Sequence, residues 1–275
     1  SSLSWSFVHP QIAQFTRACV YDRAGFGSSD GGPMPRTAGR IADELHLLLQ
    51  RAEVPPPFVL VGHSFGGLVA RLFAARHREE VAGLILVEPA IPEEWDSPSA
   101  ERQRLIERGA RLCRVGAVTA RLGIARVVAW LARAGAPGAA WGLVSAVSRG
   151  GLRRQDEGIL APIWKLPPEV RATLGARWTQ PKFFEALGSQ IATVCESAAE
   201  VQREASSSYG NLPLTVVSAR GSSESRLAAD AALSRLSTQG RHVLADESGH
   251  WVPLDAPTVV VDAVREMVTH VRSSS

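Results

Sequence analysis

Cysteine is scarce in this sequence. Cys19, Cys113 and Cys195 are spread along 275 positions. An odd count at such spacing argues against a disulfide framework and offers no cysteine cluster for a metal. Free, buried thiols in a reducing compartment are the expectation, and with them a cytoplasmic location. Lysine is nearly absent too: Lys165 and Lys182 are the two, and the other basic residues are arginines. That is the imprint of coding bias. The net charge of +3 is small, and no basic stripe with interleaved aromatics occurs, so nucleic acid is not expected as a partner. No apolar run reaches the ~18 residues of a spanning helix, which excludes stable membrane insertion by that route. The opening SSLSWSFVHP has neither a charged n-region nor an apolar h-region, so it does not read as a signal peptide. It also lacks an initiator Met, and residues are expected to precede it. The length suits one large domain, or a domain with an insert.

What is present centres on Phe58 to Ala75, FVLVGHSFGGLVARLFAA. Phe58 to Val61 is a β-branched, apolar run, read as a buried strand. Leu68 to Ala75 reads as a helix. Between them, Gly62-His63-Ser64-Phe65-Gly66 fits G-x-S-x-G. A turn this sharp strains the central residue and crowds the backbone, which calls for small residues two places either side. The strain would leave the Ser64 hydroxyl proud of the sheet at the positive end of a helix, where a serine can act as a nucleophile.

Taken in order, Ser4 to Phe15 reads as a short helix broken near Pro10, and Ala18 to Tyr21 as a strand. Arg36 to Ala52 carries Ile41, Leu45, Leu48 and Leu49 on a helical stripe. Val81 to Val87 is a second buried strand, ending at Glu88-Pro89. Strand–helix–strand order with near-continuous apolar strands implies a parallel sheet flanked by helices. From Ile91 to about Gly210 strand signals vanish. Helical stripes run over Arg102–Val118, Leu122–Ala134 and Pro181–Ala205, broken at Gly135–Gly138, Arg149–Gly151 and Pro167-Pro168. This is read as a helical lid inserted at 91–210 into a core of 1–90 and 211–275. Five of the seven tryptophans fall in it: Trp95, Trp130, Trp141, Trp164 and Trp178. Helix packing explains most of them, and one or two are candidates for lining an acyl or alcohol pocket. Arg102, Arg104, Arg108, Arg111 and Arg114 read as a solvated face. The strand pattern resumes at Leu214–Ser218, with a helix at Arg226–Leu236, a strand at His242–Leu244 and a helix at Val259–Val271.

A serine nucleophile needs a base, and the base an orienting acid. Of seven histidines, His63 adjoins Ser64 and is expected to point elsewhere. His9, His46, His77 and His270 fall on helices or surfaces, and His242 starts a strand. His250 follows the last strand, and carboxyl ends of parallel strands share one edge, where Ser64 also sits. His250 is therefore the candidate base.

These residues resemble the α/β-hydrolase fold family. Asp22-Arg23-Ala24-Gly25-Phe26-Gly27-Ser28-Ser29 is similar to its D-x-x-G-x-G-x-S loop. Gly62 to Gly67 is similar to its esterase-type elbow, and Gly249-His250 with Pro257 to its G-H-x-x-x-x-x-x-P ending. The resemblance implies the fold and a carbonyl substrate of the ester or amide kind. It leaves the acid open. The family's usual aspartate follows the post-lid strand, where this chain offers Glu224 alone. The alternative is Glu88, a strand-end position used by the haloalkane-dehalogenase-like group, and its anchored place favours it slightly. Phe65 N–H is the expected first oxyanion donor. The second normally comes from a His-Gly loop on an earlier strand. Either the family's first strands precede Ser1 or the protein has lost them, and loss of one donor costs roughly a hundred- to a thousand-fold in rate.

The leading expectation is a carboxylesterase-like serine hydrolase taking a small-molecule ester through an acyl-enzyme, with no cofactor and no metal. Ser64 sets the chain apart from dehalogenase and epoxide-hydrolase relatives, which use an Asp nucleophile. Alternatives are a lactone or C–C hydrolase, an aminopeptidase holding its substrate ammonium with Glu93, Glu94, Asp156 or Glu157, or a non-catalytic binding member of the fold.

Overall fold

Val81–Val87 has no polar side chain to turn towards water, so both of its faces must be covered. In the computed structural model, which describes residues 2–133, 166–205 and 207–274, it lies inside a four-stranded sheet. The strands are β1 (Phe58–His63), β2 (Val81–Val87), β3 (Leu214–Ala219) and β4 (Gly240–Ala245). They pair in the order β1-β2-β3-β4, all parallel. His63 pairs with Val87, Val87 with Val217, and Ala219 with Ala245. The carboxyl ends of the strands therefore fall on one edge.

Alternation along β2 divides the core between the two faces. Leu84 and Leu86 join a cluster with Ala38, Ile41, Leu68, Leu72, Phe73 and Val201. Ile85 and Val87 join another with Ile12, Val252, Val260, Val264 and Met267. The first face is covered by α2 (Ala38–Arg51) and α3 (Phe65–Arg76). The second packs against α1 (His9–Ile12) and the C-terminal helix Pro257–Ser274. Gly83 permits this approach, since a Cβ there would lie 2.5 Å from the Met267 sulfur.

Among the described residues the other α-helices are α4 (Glu93–Asp96), α5 (Ala100–Arg121), α6 (Ile124–Arg133), α7 (Pro168–Trp178), α8 (Pro181–Ala192), α9 (Val194–Glu204), α10 (Glu224–Ser234) and α11 (Val252–Asp255), and the C-terminal helix is labelled α12. Thr37, Ser99 and Ser223 cap α2, α5 and α10 by accepting a backbone N–H three residues on.

Contacts group the chain into two compact units. One, holding the described residues of 5–19, 37–97 and 194–275, contains the sheet, α1 to α4 and α9 to α12. In it Glu200 accepts from Thr37 Oγ1 and Gly39 N, and Arg76 pairs with Glu204 and Asp43. The other holds the described residues of 2–4, 20–36 and 98–193. There α5 and α8 pack closely at glycines: a Cβ on Gly116 would lie 2.4 Å from the Phe184 ring, and one on Gly188 2.7 Å from the Cys113 Cβ. Its Asp22–Ser29 loop turns about the Asp22 carboxylate, which accepts from Ser2 N, Ser2 Oγ and Ser28 N.

Several elements differ from expectation. Ala18–Tyr21 is not a strand and pairs with none of the four; an apolar extended run becomes a strand only where a neighbour supplies ladder bonds. Pro10 opens α1 instead of breaking a longer helix, because its missing N–H falls in the first turn. The long helix over Pro181–Ala205 is two, divided at Thr193, whose hydroxyl donates to Ser189 O. Leu48, placed on the buried stripe, is 41% exposed. Of the five arginines read as a solvated face, Arg104, Arg111 and Arg114 are exposed and Arg102 and Arg108 half-buried. The expected breaks at Gly135–Gly138 and Arg149–Gly151, and Ala134, Trp141, Asp156, Glu157 and Trp164, lie outside the described residues. Of the other insertion tryptophans, Trp178 stacks on Phe183 and Trp130 is 64% exposed.

Candidate active site

Ser64 stands between β1 and α3 with φ 53° and ψ −122°, a left-handed conformation that costs a serine about 1–3 kcal/mol. Three backbone bonds hold it there. Its N–H donates to Val87 O, and its carbonyl accepts from Gly67 N and Ala90 N. The crowding falls on Gly62 and Gly67. A Cβ on Gly62 would lie 2.4 Å from Gly66 O, and one on Gly67 2.7 Å from the Pro89 ring. Gly66 is different from expectation: a Cβ there meets nothing within 4 Å. What the turn needs at position 66 is a backbone carbonyl close to Gly62, not a missing side chain.

Glu88 follows β2 directly, with φ 43°. Its N–H continues the ladder to Val217 O at 2.7 Å, and its side chain is buried. Oε1 accepts from Ala219 N at 2.7 Å and Ser222 Oγ at 3.4 Å. Oε2 faces Nδ1 of His250 at 3.4 Å. Burial alone would raise the carboxyl pKa; the bonds from His250 and Ala219, with the nearby Arg226 charge, outweigh it and hold the group below the ordinary glutamate range.

His250 sits in the loop from β4 to α11, and its other nitrogen, Nε2, lies 3.0 Å from Ser64 Oγ. The imidazole thus bridges hydroxyl and carboxylate, residues 64, 250 and 88 forming one line. Half of the His250 side chain is open to solvent. Glu224, the other candidate acid, is the exposed first residue of α10; among the described residues, the carboxylate that meets Nδ1 is Glu88. Phe65 is the first residue of α3, so its N–H belongs to the helix's positive end.

Sequence reasoning missed two supports. His63 does not point away from the site: its Nε2 donates to the His250 carbonyl at 2.7 Å, and its ring lies 5.4 Å from Trp251. Burial, then repulsion from His250, pushes its pKa down to about 4, so this ring is neutral near neutral pH. Only its place beside Ser64 hinted at it. Arg226, on α10, donates to Pro89 O and to Asp230 Oδ2, which also accepts from Ser218 Oγ. This chain of bonds fastens the end of β2, where Glu88 sits. Only the i,i+4 spacing to Asp230 hints at Arg226 in the sequence, since its other partner, Pro89 O, lies 137 residues away.

The sequence pattern of the Alpha/beta hydrolase family matches residues 1–263. The haloalkane dehalogenase of Sphingobium indicum is 33% identical over 108 residues, covering 37% of this chain and 36% of that protein. The chain spans about a seventh to about a third of the length of the first curated relatives it matches. A thermophilic esterase from Thermogutta terrifontis superposes with a TM-score of 0.65 at 22% identity, over 98% of this chain and 86% of that one. The epoxide hydrolase CorEH gives 0.68 at 17%, over 98% and 88%. Likeness at this level of identity shows the fold.

Proposed function

The chain belongs to the Alpha/beta hydrolase family, and from that premise we propose that it is a serine hydrolase cleaving a carboxylic ester of a small molecule. The observation that carries the reading is the line Ser64 Oγ–His250 Nε2, 3.0 Å, and His250 Nδ1–Glu88 Oε2, 3.4 Å. Ser64 attacks the carbonyl carbon while His250 takes its proton. Phe65 N–H donates to the oxyanion, and Glu88 holds the imidazole tautomer and stabilises the imidazolium. His250 then protonates the leaving alcohol, the acyl-enzyme remains on Ser64, and water activated by His250 releases the acid.

The nucleophile chooses among the chemistries of the relatives. A carboxylate that displaces halide or opens an epoxide forms an ester, which water cleaves. A serine doing so would form an ether, which water does not cleave. On an ester, serine forms an acyl-enzyme that turns over. Lactones and C–C bonds beside a carbonyl remain within reach of the same groups. For an aminopeptidase, Glu93 and Glu94 on α4 are the described candidates for holding an ammonium. The insertion at 91–210 is proposed as the lid that sets acyl and alcohol size. Of the three cysteines, expected to be buried, Cys113 is buried, Cys195 half-buried and Cys19 exposed; a reducing, cytoplasmic setting is proposed from their number and spacing alone. Among the described residues no helix is long and apolar enough to cross a membrane.

Short p-nitrophenyl esters test the reading. Ser64→Ala and His250→Ala should lower kcat at least about a thousandfold. Glu88→Gln should lower it about a hundredfold or more, and Glu224→Gln less than about twofold. Full activity in Ser64→Ala would sink the mechanism; loss confined to Glu224→Gln would move the acid.

A further inference from the structure

A second group of side chains converges within the sheet-bearing unit, and the proposed hydrolysis does not use it. His46 lies on α2. His77 ends α3, and Glu80 sits on the 3-10 turn Arg78–Glu80 that leads into β2. Nε2 of His46 is 3.0 Å from Glu80 Oε1 and 3.3 Å from the Gln50 side-chain amide. The His77 ring stacks on that of His46, centroids 3.6 Å apart and planes at 20°. One ligand atom from each of His46, His77 and Glu80 falls within 4.8 Å of the others. His46 and Glu80 are half-buried, with side chains 19% and 25% exposed.

The hydrogen bonds at His46 Nε2 conflict. A ring nitrogen offers a proton or a lone pair, not both. With the proton it serves Glu80, and the Gln50 amide N–H is aimed at another N–H. Without it, it serves Gln50 and confronts a carboxylate. A divalent cation between Nε2 and Oε1 lets both atoms give electron pairs to the ion, and the exposed Gln50 amide then turns to water. The spacing suits this: two ligands about 2.0–2.2 Å from a tetrahedral zinc lie ~3.3 Å apart. A ring nitrogen of His77 lies within 4.8 Å of both atoms, so a rotation of that ring would bring it to the same ion. Glu79 adds negative charge around it, while the charge of Asp43 is paired with Arg76. Two imidazoles with one carboxylate are a zinc donor set, whereas magnesium and calcium prefer oxygen throughout.

We propose that His46, His77 and Glu80 bind a zinc ion, with water in the fourth position, and that the ion ties α2 to the turn between α3 and β2. The site is separate from the hydrolytic line, so its ligands can be removed without touching the chemistry.

Isothermal titration of zinc chloride into chelator-stripped protein tests it. One ion per chain should bind, and the melting temperature should rise in zinc excess. His46→Ala and His77→Ala should each weaken binding about tenfold or more, and the double variant should abolish it. Glu80→Gln, which keeps the side chain's shape, should weaken binding similarly and guards against misfolding of the histidine variants. Ester hydrolysis in chelator should stay at the wild-type level in all of them. No heat at about 100 µM zinc, or equal affinity in wild type, Glu80→Gln and the double variant, overturns the site.

Discussion

Ser64 and Glu88 both hold positive φ, at 53° and 43°, and neither is a glycine. Non-glycine residues enter this region only where neighbours over-determine them, and both are fixed by backbone bonds on either side. The charge states are as specific as the backbone. His63 is held neutral with a pKa of about 4, against an unfolded value near 6.5. Between those values the unfolded chain takes up a proton that the folded chain refuses, so stability falls as pH drops from about 6.5 to about 4. Glu88, lowered in the fold, acts in the same direction below the ordinary glutamate pKa, because protonating it loses the bonds it accepts. Urea melts of wild type and His63→Gln across this range should differ in slope. The variant should lose less stability on acidification, the difference reaching at most about 3 kcal/mol. Parallel curves would place the His63 pKa at its ordinary value. Ser64 and His250 were legible because their motifs record backbone constraints. The choice between Glu88 and Glu224 was legible only as a slight preference for the anchored strand end of Glu88, since loop position says nothing of which carboxylate reaches an imidazole. His63 was not legible, because adjacency to Ser64 suggested the opposite face, and the left-handed turn at Ser64 cancels that alternation.

At the scale of elements, the turn from β1 to α3 depends on how closely two pieces of backbone approach. Gly62→Ala puts a methyl 2.4 Å from Gly66 O, a backbone atom that cannot step aside. It should destabilise by about 1–3 kcal/mol or more and displace Ser64. Gly66→Ala meets open space and improves helix propensity by about 1 kcal/mol. It should fold with an unchanged or higher melting temperature. Equal losses in the two variants would show that the approach at Gly62 is not the constraint. β2 was legible because a strand buried on both faces is apolar without interruption; β3, LTVVSA, is interrupted by Thr215 and Ser218 and was legible from its β-branched run. Ala18–Tyr21 has the same local character and is not one of the four strands of the sheet, and sheet membership is not contained in any local pattern. The division of the 181–205 helical run was hidden for a related reason: Thr193 is an unremarkable helical residue until its hydroxyl turns back on Ser189 O.

At the scale of the molecule, the proposed chemistry exists only in the folded chain, because its members stand at positions 64, 88 and 250. A fluorophosphonate probe, which reacts with an activated serine hydroxyl, should add once per chain and only at Ser64. Across a urea titration its labelling rate should fall in step with the far-UV circular dichroism signal. Labelling that persists in the unfolded protein, or continues in Ser64→Ala, would mean that reactivity owes nothing to this arrangement. The sequence order of strands, insertion and late histidine was enough to identify the architecture; the division of described residues between two units was not, since it depends on contacts between distant segments. The His63 bond to the His250 carbonyl has a mechanical meaning here. Ser64, its neighbour His63, the His250 backbone and the His250 ring form a closed circuit of covalent and hydrogen bonds. Distances within a short closed circuit vary less than those across an open lever arm. The separation of nucleophile and base, 186 residues apart in sequence, is therefore governed by the stiffness of a few local links, and a twist of the sheet would carry the two together.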